Sequence, residues 1–470
     1  MAQDPSNEPP LGLPADALPV PEIYYDSQGG GKCFYMRNSR GNFIALTAAD
    51  VKRALRKGGF SSECGKNQLV SQIDGVIADV IINADVEYAG PLAGAKAGAR
   101  MIQNRRVLVT EPPHYIPAVQ GGWVTLEKLL RTMLVLAVEV DPETPAGDGP
   151  NEAHVGEQQL HTLYGWLKIA VTTLRAGKRR PGQVLVIAGP PACGKSLLQN
   201  LITRLLGGRS AKPYQYMTGG TQFNSELFAA EHLMIEDEAA SDNFHIRRTL
   251  GANLKGIVVN ESQRCHPKGR QALTLLPFWR VSITLNDGAE DLMVLPVLDE
   301  SVCDKVILLR AFKGEMPMPT QSPEQWAAFE ALLSAELPGF LHFLLNEWQI
   351  PRDMGCPRYG VTHYHHAELL QMMSVLSPEA KLMDLIDAGA ASLFLSGSWK
   401  GRASDLEAKL TERDSDTTYE ARKLFRFASA CGQYLGRLAK QHPERVSHAG
   451  IKDGYVRWTI RPRAASEDED

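Results

Sequence analysis

The sequence predicts an α/β core set between a small α+β N-terminal domain and a C-terminal domain of helices closed by a hairpin. Three observations carry that prediction. From Gln183 to Phe312, short and almost wholly apolar strands alternate with helical and loop segments, as in a sheet buried on both faces. One of these strands, Val184–Ala188, runs directly into the glycine-bracketed stretch 189–196 (GPPACGKS), and residues with helical spacing follow it. The composition also shifts at 141–156 (DPETPAGDGPNEAHVG), which is rich in proline, glycine and acids and reads as a linker.

The elements follow in order. Residues 1–22 carry six prolines and no periodicity, and are expected to be a disordered tail. Residues 23–140 form the N-terminal domain. Strands at Lys32–Met36 and Asn42–Leu46 are joined across Asn38–Gly41, and Thr47 caps a helix that Gly58-Gly59 stops. A strand at Arg106–Thr110 and a helix near Leu126–Leu136 complete this part. The core domain spans 157–350, entered by a helix at Glu157–Ala176 and closed by helices over Pro323–Trp348. A C-terminal domain at 355–463 and an acidic tail at 464–470 finish the chain.

Composition narrows the possibilities. The 470 residues suit two to four domains, with 44% hydrophobic and 22% charged residues, as in an ordinary folded protein. With 50 Lys+Arg against 54 Asp+Glu, the net charge of −4 argues against a surface coated in positive charge for wrapping duplex DNA. The seven cysteines are dispersed and include no CxxC pair, so reduced thiols are expected rather than a disulfide framework or a zinc site. No apolar run reaches the length needed to span a bilayer, and no secretory signal is legible, so a cytoplasmic protein without membrane contact is expected.

The chemistry concentrates in the core. GxxxxGKS between a strand and a helix cradles phosphate groups, because glycines let backbone N–H groups close around an anion at a helix N-terminus. The cradle is Gly189, Pro190, Pro191, Ala192, Cys193, Gly194, Lys195, Ser196 and Leu197. Lys195 is expected to reach the β- and γ-phosphates of a nucleotide and Ser196 to ligate Mg²⁺. Further on, 232–238 (HLMIEDE) reads as a strand ending in acids. Three registers are open: Asp237 is preferred for the metal and Glu238 for polarising water, with Glu236 as the remaining carboxylate. A third strand, Val281–Leu285, ends at Asn286, placed to orient water or sense the γ-phosphate. ATP rather than GTP is expected, since no guanine-reading NKxD is present.

This succession of P-loop, acid-tipped strand and Asn-tipped strand resembles the superfamily 3 helicases of viruses, phages and plasmids, in particular the primase-helicase type. That resemblance implies an α/β P-loop NTPase of AAA+-like form, assembled as a homo-oligomeric ring, expectedly a hexamer, that drives DNA unwinding with ATP and Mg²⁺. It also implies a DNA-contacting hairpin between the second and third strands. Residues 253–270 fit, with Ile257–Val259 strand-like and His266, Lys268 and Arg270 at a Pro/Gly turn. The resemblance further implies a cationic finger acting on a neighbouring subunit. Lys305 stands at that position where the family has arginine, and Arg310 and Arg280 are alternatives. Residues 23–140 are too short for a primase fold and show no DxD pair, so a separate primase or polymerase is the expected partner. A loader or initiator that binds DNA without unwinding remains the alternative function.

The C-terminal domain reads as three helices, Ala403–Leu410, Tyr419–Arg426 and Gly432–Lys440, followed by strands around a glycine turn. That order resembles a winged helix. Residues 395–463 hold 14 Lys/Arg against 8 Asp/Glu, so positive charge collects here. Arg437, Lys440, Lys452 and Arg457 are candidate phosphate contacts, with protein docking as the competing use. The cluster His363, His365 and His366 lacks an evident carboxylate or thiol partner for a metal and reads as a surface or helix-start cluster.

Overall fold

The computed structural model describes residues 19–29, 33–66, 68–135, 152–236, 244–296, 298–375, 377–395, 397–412, 417–425 and 427–463. They fall into two compact units. The first takes residues within 1–238, 243–285 and 295–364, and the second takes residues within 239–242, 286–294 and 365–470.

The heart of the first unit is a five-stranded parallel sheet. Its order is Val306–Arg310, Val184–Ala188, Arg280–Leu285, His232–Glu236 and Ser210–Ala211. Every residue of Val184–Ala188 and of Arg280–Leu285 is buried. Burial on both faces explains why these strands read as continuous apolar runs rather than alternating ones. The 24-residue helix Glu152–Arg175 supplies Leu160, Leu163, Trp166, Leu167 and Val171 to the core beneath the sheet. Lys195–Leu205 adds Leu198, Leu201 and Ile202, and Pro323–His342 adds Phe329, Leu333, Leu337 and Phe340.

Three expectations are corrected by this unit. The 141–156 linker ends early, because helix has begun by Glu152; the rest of that stretch lies outside the described residues. Ile257–Val259 is not a strand but the last turn of a helix over Phe244–Val259. Its β-branched residues suggested extension, yet Leu250, Leu254 and Val258 recur at a spacing of four and are all buried, so packing of one helical face overrides local propensity. The segment Pro323–Glu347 is also long and apolar enough to cross a membrane by length and composition, contrary to the expectation that no stretch is. Here its apolar stripe lies in the core, and its Glu336 carboxylate accepts from the backbone N–H groups of Thr125 and Leu126, at 3.1 and 2.7 Å, at the start of helix Val124–Leu134.

The N-terminal elements belong to this same unit. Ile23–Tyr25, Phe34–Arg37 and Phe43–Leu46 form an antiparallel sheet, and Thr47 closes a capping box with Asp50 on helix Ala48–Lys57. A second sheet pairs Tyr88–Gly90 and Gly98–Ile102 with Arg105–Val109. Between them the turn at 92–95 is clamped to the core. Ala93 donates to the Phe228 carbonyl and accepts from Phe278, and Gly94 N–H donates to the buried Glu231 carboxylate at 2.8 Å. Gly94 has φ +71°, and a Cβ there would stand 2.5 Å from Phe278 Cβ, so glycine is required on two counts.

The second unit has its own core. Leu382, Ile386, Leu406, Leu410, Leu435, Leu438, Trp458 and Ile460 are buried together. Helices Pro378–Ala388, Ala403–Leu410, Thr418–Leu424 and Ala430–Gln441 pack on a sheet of order Trp399–Gly401, Tyr455–Ile460, Val446–Lys452. Asp453 and Gly454, both at positive φ, make the two-residue turn between the last two strands.

Candidate nucleotide site

The site is assembled on one edge of the parallel sheet. Ala188 pairs with Leu285 on one side and Arg310 on the other, while Thr284 pairs with Glu236. The C-terminal ends of four strands therefore stand side by side, and the loop 189–194 leaves from the middle of the row. Open α/β sheets bind ligands at this edge, where strands end and helices begin.

The loop's shape comes from three residues. Gly189 N–H donates to the Leu285 carbonyl, and a Cβ on Gly189 would lie 2.4 Å from the Ala311 carbonyl oxygen, so only glycine lets the chain pass. Ala192 and Gly194 are left-handed, at φ +59° and +93°. Residues alternating in this way point successive N–H groups into one concavity, a nest for an anion. Lys195 then opens the helix Lys195–Leu205, adding the partial positive charge of its N-terminus. The Lys195 side chain is folded onto the loop, its Nζ 2.7 Å from the Gly189 carbonyl and 2.9 Å from that of Pro190. Ser196 is exposed in the first turn, with Leu197 half-buried behind it and Pro190, Pro191 and the buried Cys193 forming the loop wall. This set suits a nucleotide polyphosphate: a nest, an ammonium within the loop and a hydroxyl at the helix start, where a magnesium ion would be held.

The acid-tipped strand is described as far as Glu236. Its carboxylate forms an ion pair with Lys212 at 3.0 Å. Asp237 and Glu238 lie outside the described residues. Asn286 follows Leu285 in the chain and falls in the second unit.

The candidate cations separate by position. Arg310 ends its strand beside Ala188 and so stands on the site's edge, with its guanidinium 5.5 Å over the Phe312 ring. Lys305 immediately precedes that strand, so it lies toward the opposite edge, bonded to Asp304 at 2.6 Å. Arg280 also begins its strand at that opposite edge and is almost fully buried.

A hairpin is present where one was expected, but its strands are Gln263–Cys265 and Leu273–Leu275. Lys268 is exposed in its turn. Arg270 is turned inward instead, in an ion pair of 2.9 Å with the fully buried Asp26. His266 is held by its backbone: its N–H donates to Asn224 Oδ1 at 2.7 Å, while Asn224 Nδ2 donates to the Arg264 carbonyl at 2.9 Å. In the second unit, Arg437 pairs with the buried Glu379 at 2.6 Å, Lys440 and Lys452 are exposed, and Arg457 is half-buried.

Sequence reasoning missed a buried polar network behind the loop. His232 Nδ1 lies 2.8 Å from Thr203 Oγ1 and its Nε2 lies 2.7 Å from Ser282 Oγ. Gln199 Nε2 donates to Ser282 Oγ at 2.8 Å, and Thr284 donates to Gln199 Oε1 at 3.2 Å. Burial pushes the His232 pKa down to about 3, so the ring is neutral here. The network locks the P-loop helix to both strands whose tips carry the polar residues. Its signal in the sequence was faint: single polar residues inside apolar runs, at His232, Ser282 and Thr284.

Comparison with known proteins adds three findings. A family model described as a family of unknown function (DUF5906) matches residues 187–294, the stretch from the P-loop strand past the Asn-tipped strand. No curated protein matches the sequence. Among solved structures, the apo C-terminal region of NrS-1 superposes with a TM-score of 0.51 at 11% identity, covering 94% of this chain and 96% of that one. An active helicase, SCCmec type IV Cch, matches over 87% of this chain and 70% of its own, at 11% identity and a TM-score of 0.27. A JCV helicase matches over 57% of this chain and 71% of its own, at 15% identity and a TM-score of 0.22. The parallel sheet with its loop, and the likeness to the NrS-1 region, place the core among α/β NTPase folds.

Proposed function

We propose that this chain is an ATP-driven DNA translocase or helicase of superfamily 3 type, working as a homo-oligomeric ring, with a hexamer as the expected form, in replication of a phage, plasmid or other mobile element. The observation that carries the reading is the row of strand ends: a phosphate nest with Lys195 and Ser196, flanked by Glu236 on one strand and Arg310 on another. Mg²⁺ would supply charge neutralisation on the phosphates when bound. Ser196 and Asp237 would hold it. Lys195 would leave the loop carbonyls for the β- and γ-phosphate oxygens. Glu238, with Glu236 as the remaining carboxylate, would position and polarise the attacking water, and Asn286 would orient it. Arg310 would supply a cation from the sheet edge, and Lys305, bonded to Asp304, would be the alternative acting on a neighbour's nucleotide.

The exposed Lys268 on the 263–275 hairpin is the proposed grip on a single DNA strand, with His266 beside it. Arg270 serves to fix the hairpin to Asp26. The second unit is proposed to act as a winged helix, with Lys440 and Lys452 as its duplex contacts. A separate primase or polymerase and a cytoplasmic setting complete the proposal.

Steady-state ATPase with and without single-stranded DNA tests it, alongside Lys195→Ala. Several-fold stimulation by DNA is expected, with a loss on the order of 10²-fold or more in the variant. Hydrolysis that depends on Lys195 but ignores DNA would instead select the ATP-switched initiator or loader, a reading that the engagement of Lys305 by Asp304 favours.

A further inference from the structure

A second positively charged site lies at the edge of the sheet away from the P-loop. A small, open cleft is lined there by Arg179, Arg180, Gly182, Asn260, Phe278 and Arg280 among others. Arg280 is the first residue of the Asn-tipped strand, whose last residue, Leu285, pairs with Ala188. At about 3.3 Å per residue, that separates the two sites by roughly 16 Å.

The cleft holds more positive charge than the protein balances. Arg280 is only 3% exposed; its Nη1 donates to the Trp279 carbonyl at 2.9 Å, and its Cζ lies 4.5 Å from the Phe278 ring centre. Its Nη2 has no hydrogen-bond partner, and no carboxylate pairs with it among the described residues. Among the described residues, Arg180 donates to the carbonyls of Cys356, Pro357 and Arg358. Arg179 donates to the Glu261 carbonyl at 3.2 Å, and the exposed Glu261 side chain is the one acid lining the cleft. Burial drives the Arg280 pKa down to about 9, with Arg180 adding to the effect, and that of Arg179 to about 10. Gly182 makes room for this cluster, since a Cβ there would lie 2.4 Å from Arg280 Cζ.

An uncompensated buried guanidinium is unfavourable unless an anion meets it. The planar guanidinium fork matches the oxygens of a phosphate group better than any other common biological anion except a carboxylate. We propose that this cleft is a phosphate-binding site, separate from the nucleotide site, lined by Arg179, Arg180 and Arg280. The phosphate belongs either to a nucleic-acid backbone or to a free polyphosphate compound; both present the same oxygens to the same three side chains.

The test uses the full chain carrying Lys195→Ala, so that the P-loop does not dominate, with Arg280→Met and Arg179→Gln added singly. Two probes are titrated: a fluorescein-labelled oligothymidylate, followed by anisotropy, and inorganic tripolyphosphate, followed by calorimetry. A backbone occupant predicts about tenfold weaker oligonucleotide binding, with the log–log salt slope shallower by about 0.7 for each phosphate no longer neutralised. A free occupant predicts about tenfold weaker tripolyphosphate binding with the oligonucleotide unaffected. Arg280→Met is also expected to raise Tm in phosphate-free buffer, because an apolar side chain of similar length replaces an unpaired charge. Both titrations unchanged in a folded variant overturn the proposal. Should Arg280→Met fail to fold, the half-buried Arg179→Gln decides alone. DNA-stimulated ATPase in the Lys195-intact protein reports on the helicase reading separately, so the two can fail independently.

Discussion

At the scale of single residues, the site divides into side chains whose type announced their role and side chains whose surroundings created it. Lys195 belongs to the first group, because GxxxxGKS between strand and helix has one geometry available to it. His232 belongs to the second. Nothing in the sequence separates it from a strand-end histidine, yet it is fully buried between Thr203 and Ser282. Its folded pKa of about 3 is below the ordinary 6.5. The unfolded chain therefore takes up a proton between those values that the folded chain refuses, and stability rises with pH across that window. The contribution is complete above pH 6.5 and is lost as pH falls toward 3. Melting temperatures from pH 8 to 4.5 are expected to decline less steeply in His232→Gln than in the parent. Parallel curves would show that this histidine is not the responsible group.

At the scale of elements, the 263–275 hairpin shows how its shape is held from outside. Asn224 is 3% exposed and bonds both the Arg264 carbonyl and the His266 N–H, so one side chain serves a donor and an acceptor on the hairpin. Asn224→Ala would leave both groups unsatisfied, at a cost of about 1–3 kcal/mol each if they stay buried. A lowered Tm is expected together with weaker DNA stimulation of ATPase, while unstimulated turnover, which depends on the other edge of the sheet, persists. If basal turnover falls in step with stimulation, the hairpin and the nucleotide site are not separable in this way. The sequence located the turn from its Pro/Gly content but misassigned its approach: the helix through Val259 is decided by what Leu250, Leu254 and Val258 touch. Arg270 is the matching case for charge. Read alone it is a basic residue at a hairpin tip, and in the fold it neutralises the buried Asp26.

At the scale of the molecule, the two largest of the hydrophobic clusters among the described residues fall one in each unit. One gathers the sheet with its covering helices, and the other gathers Leu382 through Ile460. Independent cores melt independently when little couples them. Scanning calorimetry is expected to show an unfolding enthalpy larger than the van't Hoff value. ATP with Mg²⁺ should raise the transition of the unit holding the P-loop and leave the other near its original temperature. A single transition that moves as a whole with nucleotide would mean the two units unfold as one.

The sequence by itself determined the local features: the P-loop strand and its helix, the helix cap at Thr47, a glycine turn in the last hairpin and the acid-tipped strand. Each follows from constraints that act within a few residues, on backbone dihedrals, hydrogen-bond valence and apolar periodicity. Only the tertiary structure decided which charges are free. Arg270, Arg437 and Lys305 each meet a carboxylate, while Arg280 meets none among the described residues. For Arg270 and Arg437 the partner is hundreds or tens of residues away in the chain. The use of a charge is set by what lies within a few ångströms in space, and for these residues chain distance carries no record of it.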